Sequence, residues 1–227
     1  ITAYDKVYEA EIKLGVLTDT LDITGNILKT ENVSVSDEQI KNVLEGMIGE
    51  YEQTVPIYSA VKVNGRKLYE YARNNETVEL PKRLVKIKSL YLISDIKREN
   101  GWIIFKIKTC VSKGTYIRAL INDIAAKLNT IGVMSELKRV KQGDISIADA
   151  YTLSEIENDN YKFYDIDKCL NNLFKIEVDE KLLKKIKNGV QLENTYEKDI
   201  ILFKYNGNNI AIYKSDGKVL KMWKYLL

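Results

Sequence analysis

The sequence contains no histidine, and only two cysteines and two prolines, in 227 residues. Each shortage excludes something. Without histidine, imidazole acid–base chemistry and most zinc sites are ruled out for these residues. Cys110 and Cys169 have no metal-ligand spacing, and Cys110 falls inside a strand pattern. A disulfide framework is therefore not expected, and a reducing cytoplasm fits. No apolar run approaches the ~18 residues that a membrane-crossing helix needs, and no signal peptide is evident.

What is present is ordinary for a folded protein: 45% hydrophobic and 30% charged residues, enough for a sizeable core. The length suggests one large domain, or one domain with a small companion. The net charge of +3 conceals an uneven distribution. Residues 1–61 hold 4 basic and 11 acidic side chains, whereas 62–118 hold 14 basic and 5 acidic. Such a basic block suits an anionic partner such as nucleic acid. It equally suits lysines that merely solvate strand and helix faces, and charge alone does not separate the two.

Residues 4–14 alternate, with Tyr8, Ala10, Ile12 and Leu14 on one side, as in a half-buried strand. Ser36-Asp37-Glu38-Gln39 has the form of a capping box. The stripe Ile40, Val43, Leu44, Met47 and Ile48 follows at helical spacing. Residues 62–83 predict a strand, a short helix near 67–73 and an exposed loop. Strands are expected over 84–95 and 101–111, turned at Asn100-Gly101. A helix is expected over 115–128 with Ile117, Leu120, Ile121, Ile124 and Leu128 inward. Residues 152–171, acidic and aromatic, predict a helix and a connection. In the tail, Asn206-Gly207 and Asp216-Gly217 suit tight hairpins between short strand patterns. The order of elements indicates an α+β fold with a mixed, largely antiparallel sheet flanked by helices, and a small β-rich module at the C-terminus.

The junction Ser112-Lys113-Gly114-Thr115-Tyr116-Ile117-Arg118 passes from strand to helix. Such a turn can cradle phosphate, yet the P-loop pattern is absent and a lone Lys-Gly-Thr is weak evidence. Local features favour a plain reading in which Thr115 caps the helix, Gly114 turns and Arg118 is surface. Likewise Tyr8 reads locally as a core tyrosine. Asp19 and Asp22 read as turn formers, with a weak Mg²⁺ site as the alternative. Tyr58, Tyr69 and Tyr71 interleave with Lys62, Arg66, Lys67 and Arg73, a mixture suited to looped RNA or to a solvated helix.

Four segments in order narrow these choices: Asp5-Lys6-Val7-Tyr8 with Leu14-Gly15-Val16-Leu17-Thr18-Asp19-Thr20-Leu21-Asp22, Gln53 through Pro56-Ile57-Tyr58-Ser59-Ala60 to Arg73, Ser112–Arg118, and Met134-Ser135-Glu136-Leu137-Lys138-Arg139. Together they resemble the TruB-type tRNA pseudouridine synthases. The resemblance implies a pseudouridine synthase domain over 1–171 with a basic thumb at about 58–83, and a PUA-like RNA-binding module over 172–227. It implies an isomerase that converts the T-loop uridine of tRNA (position 55) to pseudouridine, without a cofactor or metal, acting as a monomer on the T-arm stem-loop.

Roles carry over residue by residue. Tyr8 would stack on the flipped base, Tyr116 would line the pocket and assist proton transfer, and Leu137 would close its apolar side. Arg118 would pair with the nucleophilic Asp, Asp22 would help position RNA, and Lys62, Arg66, Lys67 and Arg73 would grip phosphates. The family's Gly-x-Leu-Asp-Pro loop, which bears that Asp, does not occur in these 227 residues, and neither does the family's neighbouring His. Family spacing places both roughly twenty residues before Ile1. The expectation is therefore an RNA-binding chain inactive by itself. The alternatives are a non-catalytic RNA-binding fragment or tRNA-folding module, and a nucleotide enzyme built on Lys113-Gly114-Thr115.

Overall fold

The computed structural model describes residues 4–226, which divide into two compact units, Ile1–Ala150 and Tyr151–Leu227. The first unit contains β1 Lys6–Leu14, β2 Val16–Thr18, β3 Ile27–Thr30, α1 Asp37–Gly46, β4 Gly49–Thr54, β5 Lys62–Val63, β6 Arg66–Lys67, α2 Leu68–Arg73, β7 Lys82–Leu92, β8 Lys97–Glu99, β9 Trp102–Val111, α3 Ile117–Lys127, β10 Gly132–Gln142 and β11 Ile145–Ser146. The second contains α4 Leu153–Glu157, α5 Ile166–Cys169, β12 Phe174–Glu177, α6 Glu180–Lys187, β13 Leu192–Glu193, β14 Ile200–Tyr205, β15 Asn208–Asp216 and β16 Val219–Tyr225. The expected α+β class, with its largely antiparallel sheet and β-rich tail, is the one observed.

The main sheet runs β11-β10-β1-β9-β7-β4, with β8 hairpinned onto β9. Strands β1 and β9 lie at the centre and both alternate: in β1, Ala10, Ile12 and Leu14 are buried on one face, while Glu9 and Glu11 face the other. Helices α1 and α3 cover the apolar face, and Ile12, Ile87, Phe105, Ile107, Leu120, Ile121 and Ile124 make a common core. The predicted inward stripe of α3 is buried throughout, from Ile117 to Leu128. Helix α1 starts at the Ser36–Gln39 capping box, as expected, but ends at Gly46. Ile48 therefore falls beyond the stripe and is exposed.

Gly15 turns β1 into β2 at φ +96, and a Cβ there would stand 2.7 Å from the Glu31 carbonyl oxygen. Only glycine meets both conditions. Asn64 and Gly65, both at positive φ, close the β5–β6 hairpin as the Asn-Gly pair leads one to expect.

Helix α3 begins at Ile117 with Tyr116 at the cap position and no side-chain cap. Thr115 does not cap it; its hydroxyl donates to the Ser112 carbonyl at 3.0 Å.

In the second unit the sheet order is β12-β14-β15-β16-β13, with β12 parallel to β14. Phe203 and Tyr213 meet edge-on in its core, with centroids 5.2 Å apart. Residues 151–171, assigned to the first domain by sequence, fall in this unit. Asp167 explains their attachment, because its carboxylate accepts from Asn209 and lies 3.5 Å from the Lys204 ammonium.

Candidate active site beside the N-terminus of α3

Register decides which side chains share a face. Tyr8 lies opposite Thr109 on β9 and Arg139 on β10, and Ala10 lies opposite Leu137. Irregularities in the β1–β10 register, between Val7 and Tyr8 and between Glu11 and Ile12, re-aim this stretch of β10. Tyr8, Leu137 and Arg139 therefore stand on the face that α3 packs against. Tyr8 is half-buried against the core, and Leu137 is 44% exposed, an unusual placement for a leucine directly opposite a buried alanine.

The start of α3 carries Tyr116 at its cap position and Arg118 in its first turn. Arg118 is fixed from two directions: Nη1 donates to the Thr20 carbonyl at 2.8 Å and Nη2 to the Tyr58 carbonyl at 2.9 Å. One cation thus joins the loop after β2 to the base of the 58–83 segment. Both acceptors are neutral carbonyls, so the guanidinium charge remains uncompensated by them. Arg118 is not the plain surface residue of the local reading.

Asp22 lies in that same loop. Its carboxylate accepts from the Thr24 N–H at 3.0 Å and hydroxyl at 2.7 Å. The loop docks on β10 through Ile23 N–H to Met134 O and Met134 N–H to Leu21 O. Asp19 accepts from the main chain and side chain of Asn26, and the Asn26 side-chain bond does most to hold its carboxyl below the usual range. Both aspartates serve the turn. Among the described residues there is no group of three acids, cysteines or histidines arranged for a metal.

Sequence reasoning did not single out Gln53 as a site residue, yet it supports the site. Its Oε1 accepts from the Tyr116 N–H at 2.8 Å, and its Nε2 donates to the Tyr116 carbonyl at 3.1 Å and to the Tyr51 hydroxyl at 2.8 Å. The Gln53 amide thus replaces the missing side-chain cap by gripping both main-chain groups of Tyr116. Tyr51 in turn donates to Asp123 on α3 at 3.1 Å. Gln53 is 1% exposed. Its position in strand alternation, between Tyr51 and Val55, was the available signal, since a buried glutamine must find partners.

Burial raises the Asp123 carboxyl pKa above its ordinary value, and burial followed by the Asp123 charge raises that of the Tyr51 hydroxyl. A raised carboxyl pKa means that the folded state binds protons more readily than the unfolded one. This group's contribution to stability therefore falls as pH rises from the unfolded carboxyl pKa through the folded value. Asp123→Asn keeps an acceptor for Tyr51 and removes the charge. It is expected to raise Tm at pH 7 and to steepen the rise of Tm with pH along the acid limb, because the opposing contribution of Asp123 is gone. An unchanged curve would assign Asp123 no titration on folding.

A pocket of about 250 Å³ opens behind Arg118, between Thr20, Leu21, Pro56 and Tyr58 on one side and Ala119 and Asn122 on the other. Tyr8, Tyr116 and Leu137 do not line it.

The 58–83 segment holds the expected cations. Lys67 donates to the Tyr69 hydroxyl at 3.2 Å, and Arg73 lies 5.2 Å from the Tyr69 ring. Arg66 sits 4.4 Å from the Tyr71 ring and pairs with Glu76 at 2.8 Å. Lys62 is exposed. Much of the remaining basic block is spent on the opposite sheet face. Lys86 pairs with Glu50, Lys88 with Asp5, Lys106 with Glu136 and Glu11, and Lys108 with Glu9. Arg98 pairs with Asp37 at 2.6 Å. Five cations of the basic block thus pair with acids of the first quarter of the chain.

Comparison with known proteins agrees with this geometry. Residues 1–117 match the model described as the TruB family pseudouridylate synthase N-terminal domain. The chain is 41% identical over 217 residues to proteins named tRNA pseudouridine synthase B from Staphylococcus aureus strains JH9 and Newman, covering 94% of this chain and 68% of each relative. The solved structure titled as a Cbf5-Nop10-Gar1 complex superposes with a TM-score of 0.64 at 19% identity, over 97% of this chain and 66% of that one. An H/ACA RNP bound to a substrate RNA containing 2′-deoxyuridine gives 0.62 at 17% identity, over 98% and 66%. The last two likenesses concern the fold; the first two establish kinship, and this chain belongs to the TruB family of pseudouridylate synthases.

Proposed function

We propose that this chain carries the base-binding and RNA-binding parts of a tRNA pseudouridine synthase acting on the T-loop uridine at position 55. Two observations support the reading: Tyr8 and Leu137 share one sheet face, and at the start of α3 Tyr116 is held by Gln53 and Arg118 by two carbonyls. The relatives named tRNA pseudouridine synthase B support the tRNA substrate, and the RNP neighbour bound to a substrate RNA supports an RNA partner.

The reaction detaches uracil at the C1′–N1 bond, turns it and rejoins it through C5, with no net redox change and no cofactor. The base must first leave its stack, which costs a few kcal/mol. Tyr8 supplies a replacement stacking surface, Leu137 excludes water from the apolar side, and Tyr116 flanks the flipped base. Arg118 holds the nucleophilic carboxylate ionised, because an adjacent cation favours the charged form. That carboxylate is not found among the described residues near Arg118. Asp19 and Asp22 are engaged in their own turn, and Asp22 shapes the loop that Arg118 grips. We therefore assign the nucleophile to a Gly-x-Leu-Asp-Pro segment outside the 227 residues. A second reading, RNA binding without catalysis, follows for the 227 residues alone.

Lys62, Lys67 and Arg73, with Arg66 shared with Glu76, are assigned to phosphates of the T-arm. If four to six phosphates are neutralised, log K against log salt has a slope of about −3 to −5. Replacing Lys62, Lys67 and Arg73 by Ala is expected to flatten it by about two units. Replacing Lys86 and Lys108, which are paired on the opposite face, leaves it nearly unchanged. Titration of a T-arm hairpin at several salt concentrations tests this. Equal responses from both sets would mean that the cations act as a diffuse field rather than a thumb.

A further inference from the structure

Beyond the thumb, a second group of cations lies beside the base site. Lys6 precedes Tyr8 by two residues on β1 and so shares its face. Arg139 stands opposite Tyr8 on β10, and Val111 stands opposite Lys6 on β9. Two residues after Val111 comes Lys113, at the turn that leads to Tyr116 and α3. Lys6, Lys113 and Arg139 thus gather at one end of the three central strands. Lys113 and Arg139 are exposed, and Lys6 is half-buried, donating to the Tyr4 carbonyl at 2.6 Å. Burial first, then Arg139 and Lys113, push the Lys6 ammonium below its ordinary pKa, against a weaker opposing pull from Asp5. The Asp5 carboxylate belongs to the opposite face, where it pairs with Lys88, and Glu9 pairs there with Lys108. A phosphate placed among three cations gains from each of them.

We propose that Lys6, Lys113 and Arg139 form a phosphate subsite for the RNA strand that carries the target nucleotide, gripping the phosphodiesters that flank the base stacked on Tyr8. The cluster spans β10 to β9, two strand spacings or about 10 Å, which suits two consecutive phosphodiesters better than a single ion. The inference rests on the RNA reading above and adds what holds the strand once the base has flipped. The thumb cannot do this alone, because phosphate contacts fix register only where they are made.

The test is a salt-series titration of a T-arm hairpin with the full chain and with its Lys6→Gln/Lys113→Gln/Arg139→Gln variant, whose fold is checked by thermal melting. The variant is expected to flatten the log–log slope by about 1.4 to 1.8, two phosphates at ~0.7–0.9 each. A hairpin with neutral methylphosphonates at the two linkages flanking the target uridine is expected to bind both proteins equally. The same replacement in the stem leaves their difference intact. If the triple variant does not fold, Arg139→Gln alone is used, with an expected flattening of about 0.7–0.9. A variant that keeps the parental slope while the thumb variant loses its own overturns the subsite and leaves the RNA reading standing. A difference erased only by stem methylphosphonates also overturns it. Failure of the parent chain to bind the hairpin at all overturns both.

Discussion

Arg118→Ala is expected to lower kcat on T-arm RNA by about 10²- to 10³-fold, the usual cost of deleting one preorganised electrostatic contact. The measurement belongs in the chain preceded by the family's Gly-x-Leu-Asp-Pro segment. KM should change far less, because Arg118 contributes its charge to the carboxylate rather than to the RNA backbone. The structure adds a second reason for the loss. Arg118 ties the Thr20 carbonyl to the Tyr58 carbonyl, so its removal also frees the loop after β2 from the base of the thumb. Arg118→Lys should rescue little, since one ammonium cannot span both acceptors while facing a carboxylate as a planar fork does. An effect confined to KM would make Arg118 a phosphate ligand instead.

Gln53→Ala is expected to be among the most damaging single changes to stability outside the apolar core. It removes three hydrogen bonds from a side chain that is 1% exposed and strands the Tyr116 N–H at a helix start with no other cap. Losing buried partners of this kind costs about 2–4 kcal/mol, or a fall in Tm of roughly 5–12 °C for a protein of this size. Gln53→Glu keeps the acceptor for the Tyr116 N–H but turns a buried carboxylate oxygen toward the Tyr116 carbonyl, and should be at least as damaging. Thermal melts of the two variants decide the matter. A Gln53→Ala protein that melts with the parent would show that the amide clamp contributes nothing.

Much of this was legible in the sequence, for physical reasons that differ from element to element. The α3 stripe and the β1 alternation were readable because burial imposes a period on each. The Ser36 cap and the Asn64-Gly65 turn were readable because their chemistry is local. The partners of Arg118 were not readable. They lie 98 and 60 residues away and are carbonyls, which every residue has. The Gln53–Tyr116 clamp spans 63 residues and was hidden by the same long-range pairing of β4 with the start of α3. The charge of 62–118 was ambiguous for a related reason. Summed along the chain it looks like one anion-binding surface. Folding instead sets Lys86, Lys88, Lys106 and Lys108 against acids from strands β1, β4 and β10 and their flanks. Lys62, Lys67 and Arg73 of the thumb, and Lys113 before α3, take no part in these pairings. The attachment of 151–171 to the second unit was equally invisible, because it depends on Asp167 meeting Asn209.

The central claim is that these 227 residues hold the base and the RNA, while the nucleophilic carboxylate comes from a segment they do not include. Tritium release from C5-labelled uridine in T-arm RNA tests it most directly, with the 227-residue chain, its start verified by intact mass, assayed beside the chain extended by a Gly-x-Leu-Asp-Pro segment. The account predicts release by the extended chain and none by the 227 residues alone. Turnover by the 227-residue chain would contradict it.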